Sequence, residues 1–348
     1  MVILDNIVFS LQRTGGISVV WQQHLQRMEA DAAWQKRIIE YANTNVQRGE
    51  IALTDVETLP LRRLERYRQP AIQVSKGDIF HSSYFRILDG ARNVTTVHDL
   101  TYHYYRRGLA KAVHLWEEER ALRASERIIC ISEHTRGDLL NCYPWLDEKR
   151  VSVVPNGVSE TYRILGEKEN ITPFAAGEYL LYIGSRSVRY KRFEVAVAVA
   201  RETGQPLVLV GAGVDKREQE WLDEQLGAGR WHSISATTEG EINKLYNGAL
   251  ALLYPSDYEG FGLPILEAQR AGCVVIAQEA SSIPEVAGAG AILFGAEGLA
   301  TQMAEAVRAL KSGRIDREEL IEKGLQNASQ YSWDKTYKNT IDIYRQLQ

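Results

Sequence analysis

Tyr258-Glu259-Gly260-Phe261-Gly262-Leu263-Pro264-Ile265-Leu266-Glu267 stands between an apolar run at 250–254 and a helical pattern at 264–271. The order is strand, glycine turn, helix, and this unit decides the fold. Pro264 suits the first helical position, where its missing N–H costs nothing. Glycines let a backbone approach a ligand closely. The free N–H groups around Gly262, Leu263 and Ile265 then face the strand end, with the positive end of the helix dipole behind them. That is a cradle for a phosphate or an anionic sugar. Glu259 precedes the helix and can reach a neutral hydroxyl. Glu267 is expected in the first helical turn.

The same rhythm runs outward in both directions. Upstream, strands are expected at 179–183, 206–210 and 232–234, and helices at 192–203, 216–225 and 239–247. Downstream come a strand at 274–277 and helices at 299–311, 316–329 and 333–347. The first half repeats the pattern, with strands at 2–4, 37–41, 79–81, 94–97, 127–131 and 151–154 and helices at 17–28, 109–124 and 133–141. Alternating strands and helices argue for a parallel sheet wrapped by helices. Residues 166–178 are polar and turn-rich, with Pro173 and Gly177, and read as a linker. The fold class is therefore α/β, with two Rossmann-like βαβ domains at 1–165 and 178–332 and a terminal segment at 333–348. A chain of 348 residues is long enough for two cores at roughly 150 residues per domain. Ligands of such sheets bind beyond the carboxyl ends of the strands, so the expected site is the cleft between the domains.

Other strand ends carry chemistry. Tyr182-Ile183-Gly184-Ser185-Arg186, followed by Tyr190-Lys191, delivers two cations after a strand. Arg186 can fork onto phosphate oxygens and Lys191 can act as a point charge. Arg189 and Arg192 read as solvated. Gly15-Gly16-Ile17 is a second glycine turn before a helix. Thr96-Val97-His98-Asp99-Leu100 ends a β-rich run and offers a polar His98. Asp99 either orients His98 or caps the next turn. Ser132 reads as a helix N-cap.

The opening segment with Glu267 resembles the E-x7-E motif of retaining glycosyltransferases, and the chain is similar to the large family 4 of these enzymes, which has the GT-B fold. Ser125-Glu126-Arg127-Ile128-Ile129-Cys130-Ile131-Ser132 and Val154-Pro155-Asn156-Gly157-Val158 extend the resemblance over most of the chain. It implies that Glu267 binds the donor ribose and Glu259 a donor-sugar hydroxyl. Gly260, Phe261, Gly262 and Leu263 would form the donor cradle. Arg186 and Lys191 would grip the diphosphate and stabilise the leaving group. Gly15 and Gly16 would come against that diphosphate, and His98 would touch the donor sugar near its reacting centre. Catalysis is thus expected from His98, Arg186, Lys191 and Glu259, by front-face substitution with retention. The terminal segment is expected to return to the first domain.

The implied donor is a UDP- or GDP-linked hexose, such as UDP-glucose or GDP-mannose. The implied acceptor is a saccharide or a polyprenyl-diphosphate-linked oligosaccharide of cell-surface polysaccharide synthesis. Alternatives are a sugar-nucleotide epimerase, a phosphorylase, or an inactive sugar-nucleotide-binding protein; an intact His98, Glu259, Arg186 and Lys191 argue against the last. There is no DxD, Walker A, HExxH or GxSxG. No metal and no cofactor beyond the donor are expected, which leaves charge neutralisation to Arg186, Lys191 and helix dipoles.

Composition is that of a soluble enzyme, 45% hydrophobic and 25% charged. A net charge of -4 argues against nucleic acid as a partner. The three cysteines, Cys130, Cys142 and Cys273, form no CxxC pair, which fits a reducing compartment. No basic leader and no long apolar run is present, so a cytoplasmic location is expected. Basic clusters at 62–68 and at Arg106, Arg107 and Lys111 leave room for a peripheral contact with an anionic membrane at its inner face.

Overall fold

A computed structural model describes residues 1–166, 169, 171–235 and 238–348. The chain forms two compact units, Met1–Gly157 with Trp333–Gln348, and Val158–Ser332. Of the 166–178 linker segment, 167, 168 and 170 lie outside the described residues.

The first unit is built on seven parallel strands, β1 (Val2–Asp5), β2 (Lys36–Glu40), β3 (Val56–Thr58), β4 (Ile79–Ser82), β5 (Arg92–Val97), β6 (Ser125–Cys130) and β7 (Val151–Val153), in the order β3-β2-β1-β4-β5-β6-β7. Its helices are α1 (Val8–Leu11), α2 (Gly16–Ala30), α3 (Val46–Gly49), α4 (Thr101–Tyr105), α5 (Gly108–Ala124) and α6 (Glu133–Cys142). Successive side chains of a strand point to opposite faces. Val2 and Leu4 of β1 accordingly join the core formed with Trp21, Leu25 and Met28 of α2, while Ile3 packs with Ile39 and Phe80 in a separate cluster. Ser132 caps α6 by accepting from the Thr135 N–H at 3.0 Å.

The second unit repeats the plan with six parallel strands. These are β8 (Leu180–Ile183), β9 (Leu207–Val210), β10 (Trp231–Ile234), β11 (Ala251–Tyr254), β12 (Val274–Gln278) and β13 (Ala291–Phe294), ordered β10-β9-β8-β11-β12-β13. Its helices are α7 (Phe193–Thr203), α8 (Lys216–Leu226), α9 (Glu239–Gly248), α10 (Leu263–Arg270), α11 (Ile283–Ala287), α12 (Leu299–Lys311) and α13 (Arg317–Ala328). Strands β8, β9, β11 and β12 are buried on both faces, as continuous apolar runs in a parallel sheet require. The final helix, α14 (Trp333–Arg345), packs with α2 in the first unit and places Ile341, Ile343 and Tyr344 in its core.

Both sheets have the doubly wound order in which the first strand and the fourth are neighbours. There the winding reverses, and a crevice opens at the carboxyl ends. In the second unit this point lies between β8 and β11. The loops that follow those two strands hold the two cations and the glycine-rich segment. The edge strands β3 and β13 and the helices α1, α3, α4 and α11 were not foreseen from sequence. Each has only three to five residues, too few for a period to register.

Candidate functional site

The loops after β8 and β11 are stitched together. The Asp257 N–H donates to the Tyr190 carbonyl at 2.8 Å. Lys191 ends a short 3-10 turn, Arg189–Lys191, and its Nζ lies 2.6 Å from each carboxylate oxygen of Glu259. Glu259 is largely buried, at 8% exposure, so its charge is balanced within the protein by Lys191 rather than by water. The loop is also fixed from β12. The Glu259 N–H donates to Ser281 Oγ at 2.8 Å, and the buried Ser282 hydroxyl bonds the carbonyls of Glu259 and Phe261 at 2.9 and 3.0 Å. Ser281 holds a left-handed φ of 49° to do this.

Gly262 sits at the N-cap of α10 with φ 103°. That conformation requires glycine, and a Cβ there would also come within 3.2 Å of Ile265 Cδ1. The helix begins at Leu263, one residue before Pro264. This corrects the expectation for Glu267. It stands fifth in α10, in the second turn, and is not a first-turn dipole partner. Its carboxylate accepts from Tyr246 Oη at 3.0 Å and from the Tyr162 hydroxyl. Burial raises its pKa to about 7; the two tyrosine hydroxyls work against that shift and Glu239 adds to it.

Arg186 occupies a neighbouring arrangement. Its Nε lies 2.6 Å from Glu218 Oε1, and its Nη2 donates to the Ala212 carbonyl at 2.7 Å. Its Nη1 is buried with no hydrogen-bond partner among the described residues. A buried guanidinium N–H without an acceptor is expensive, and it suits an incoming anion. The structure therefore joins Lys191 to Glu259 and Arg186 to Glu218 as two separate pairs. Arg192 turns back to Asp257 at 3.3 Å, as befits a structural cation. Phe261 is buried edge-on against Tyr331, so its contribution to the loop is its carbonyl and its bulk.

The remaining candidates lie in the first unit. Gly15 caps α2 and Gly16 is its first residue, with the short α1 standing between β1 and this turn. A Cβ on Gly15 would meet Gln12 Oε1 at 2.9 Å, whereas the space beside Gly16 is open. His98 follows β5 and lines a pocket shared with His24, His81, Asn156, Trp333 and Tyr337. Burial holds His98 and His24 down to about 4, and burial likewise pushes His81 well below the ordinary imidazole value. All three are neutral near pH 7. His81 is bonded through Nδ1 to Tyr344 Oη at 2.5 Å and through Nε2 to Thr96 Oγ1 at 2.9 Å, and Tyr344 also meets His24 at 3.1 Å. Asp99 is settled as a cap, its Oδ1 accepting from the Thr101 N–H at 2.8 Å.

Sequence reasoning passed over Tyr162, Tyr246 and Glu218, which hold the two residues it did find. Nothing near them in the chain signals the role. The Ser281-Ser282 pair before Ile283-Pro284 did carry a signal, since two serines ahead of a helix start are the usual sign of side chains bonding backbone. Among the described residues no cluster of three His, Cys, Asp or Glu is placed to hold a metal ion.

Two doubly wound units, one with a glycine-capped helix, two carboxylates and two paired cations at its switch point, define a glycosyltransferase of the GT-B class. The chain belongs to the group 1 and family 4 glycosyltransferases: "Glycosyltransferase Family 4" matches residues 17–162 and "Glycosyl transferases group 1" matches 167–327. Among its relatives is the O-antigen chain mannosyltransferase B of Escherichia coli, 26% identical over 301 residues, 80% of this chain and 76% of that protein. The alpha-maltose-1-phosphate synthase of Mycobacterium tuberculosis is 28% identical over 264 residues, covering 68% of this chain and 67% of the relative. In fold it is similar to Anabaena HepE, solved with UDP and glucose, with TM-score 0.76 at 13% identity over 99% of this chain and 100% of the other. Sucrose-phosphate synthase from Thermosynechococcus elongatus gives 0.78 at 18% identity over 99% and 98%.

Proposed function

We propose that this glycosyltransferase is a retaining hexosyltransferase that takes a hexose from a UDP- or GDP-linked donor and passes it to a saccharide or lipid-linked oligosaccharide of cell-surface polysaccharide synthesis. The observation that carries the reading is the Lys191–Glu259 pair held against the glycine cap of α10.

The residues divide the work as follows. The N–H groups at the start of α10, with the helix dipole behind them, take the donor diphosphate. Lys191 leaves part of its interaction with Glu259 to meet that diphosphate, and the unpartnered Nη1 of Arg186 supplies a second cationic donor. As the glycosidic bond breaks, charge grows on the diphosphate, and preorganised cations lower the barrier there most effectively. Glu259, released in part by Lys191, accepts a hydroxyl of the sugar. Glu267 accepts the ribose hydroxyls while Tyr246 and Tyr162 fix its direction. His98, neutral because it is buried, can donate or accept one hydrogen bond to the sugar without bringing a charge of its own. No carboxylate is assigned as nucleophile, so the donor phosphate assists the acceptor hydroxyl on the same face and configuration is kept.

Thermal-shift titration with UDP, GDP, UDP-glucose and GDP-mannose tests the donor assignment, because a ligand of the native state raises Tm by mass action. One nucleotide series should raise Tm, and Glu267→Ala should weaken that response. No shift with any of the four would overturn the reading.

A further inference from the structure

Helix α5 is inside out. Its buried positions are His114, Glu117 and Glu118, followed by Ala121 and Leu122, whereas Leu109 and Trp116 point to solvent at 79% and 53% exposure. Ala110 and Ala112 are exposed beside them. A surface helix of a water-soluble protein normally reverses this pattern. The preceding elbow continues it, with Tyr104 and Tyr105 exposed at 49% and 42% and Arg106 and Arg107 exposed after them. From 100 to 116 there is no Asp or Glu, although the whole chain carries a net charge of -4.

The loop at 61–64 belongs to the same face of the first unit. Arg66 ties it to α5 through Glu117 at 2.7 Å, and Arg120 of α5 donates to the Tyr67 carbonyl at 3.1 Å. Leu61 and Leu64 are exposed there at 47% and 60%, and Leu64 is held at a left-handed φ of 63°. The structure also corrects the basic cluster expected at 62–68. Arg62 and Arg66 are tied up with Glu65 and Glu117, so both serve the fold. On this face the cations without an ion pair among the described residues are Arg63, Arg68, Arg106, Arg107, Lys111 and Arg120.

We propose that this face, the α4–α5 elbow with the 61–64 loop, lies on an anionic phospholipid bilayer. Leu109, Trp116 and Leu64 enter the headgroup–acyl boundary, Tyr104 and Tyr105 sit at its level, and Arg106, Arg107 and Lys111 meet the lipid phosphates. Apolar and aromatic side chains ringed by arginine and lysine suit an interface that is oily beneath and negative above. Among the described residues no helix is long and apolar enough to cross a membrane, so the contact is one of lying on the surface. The inference is independent of the donor chemistry, since none of these residues belongs to the nucleotide-sugar site.

The test is co-sedimentation of the purified protein with phosphatidylglycerol–phosphatidylcholine vesicles and with phosphatidylcholine vesicles alone, across a salt series. The expected result is binding to the anionic vesicles that fades as salt rises. Arg106→Gln/Arg107→Gln should weaken it by about tenfold or more, as two surface cations near a charged leaflet imply. Leu109→Ser/Trp116→Ser should weaken it with little change in salt dependence. Circular dichroism and melting of the variants verify folding, and the arginine pair, fully at the surface, serves if the second pair does not fold. Absence of binding, equal binding to neutral vesicles, or binding unchanged in both variants would each overturn the proposal. So would loss of a dimer in the Leu109/Trp116 variant without any vesicle binding by the wild type, which would make the face a self-association surface.

Discussion

Replacing Lys191 by Met separates what the Lys191–Glu259 pair does for folding from what it does for chemistry. Nζ stands 2.6 Å from both carboxylate oxygens. Coulomb's law at that distance, with an effective dielectric of about 20, gives roughly 6 kcal/mol as an upper bound. Desolvation offsets most of it, and a hydrogen bond to a charged group contributes about 1.5–3 kcal/mol net. The Lys191 side chain is 22% exposed and that of Glu259 9%, so the upper half of that range applies. A loss of ~2–3 kcal/mol should lower the Tm of the unit spanning Val158–Ser332 by about 4–12 °C. Turnover should fall further, by about 100- to 1000-fold, as when one donor to a developing anion is removed. Glu259→Gln in the same chain neutralises the stranded carboxylate. The double variant should therefore recover most of the lost Tm and none of the lost turnover. Calorimetry and a nucleotide-release assay on wild type, both single variants and the double variant complete the cycle. A double variant that stays as unstable as the sum of its parts removes the coupling on which the site was built. A Lys191→Met enzyme with near-normal kcat removes Lys191 from the chemistry.

Two further outcomes follow from the buried hydroxyls and acids. Glu267 titrates near pH 7, and its carboxylate is the form that accepts ribose hydroxyls, so nucleotide affinity should rise by roughly tenfold between pH 6 and pH 8, a span that takes a single group of this pKa from mostly protonated to mostly ionised. Glu267→Gln should bind more weakly and show a flat profile by calorimetric titration; an unchanged slope would reassign the titrating group. For stability the sign reverses. The folded pKa lies above the ordinary 4.5, so this group's contribution falls as pH rises from 4.5 through 7, and the melting difference between Glu267→Gln and wild type should move in the variant's favour from pH 5 to pH 8. Tyr344→Phe strands the buried rings of His81 and His24, both of which meet the lost hydroxyl, and should cost about 1–3 kcal/mol. Scanning calorimetry showing no fall in Tm would mean that the Tyr344 hydroxyl contributes nothing to the docking of α14.

Much of the candidate site in the second unit can be read from the chain, because it lies in two short loops. The strand–glycine–helix order at 250–271 announces a βα turn, and the sheet order puts that turn beside the loop carrying Lys191. Gly262 is legible because its φ excludes other residues. The supporting residues are not. Tyr246 and Tyr162 reach Glu267 from 21 and more positions away, and Glu218 reaches Arg186 across 32, so only the tertiary fold brings them together. Glu267 was placed one residue too early in its helix, since the helix start can be read from Pro264 only to within a residue or two. Basic residues misled in a different way. Arg62 and Arg66 look like surface charges in sequence, but their acidic partners are buried. The inverted face of α5 is invisible to periodicity, which assigns Leu109 and Trp116 to a core and His114, Glu117 and Glu118 to solvent.

The central claim is that a nucleotide diphosphosugar is cleaved here with retention. It is tested most directly by early-time proton NMR of the protein with UDP-glucose or GDP-mannose, recorded without added acceptor so that water intercepts the sugar. The account predicts slow release of nucleoside diphosphate together with a sugar that appears first as the α anomer, and loss of both signals in Lys191→Met. A sugar appearing first as the β anomer, or cleavage to the nucleoside monophosphate, would contradict it.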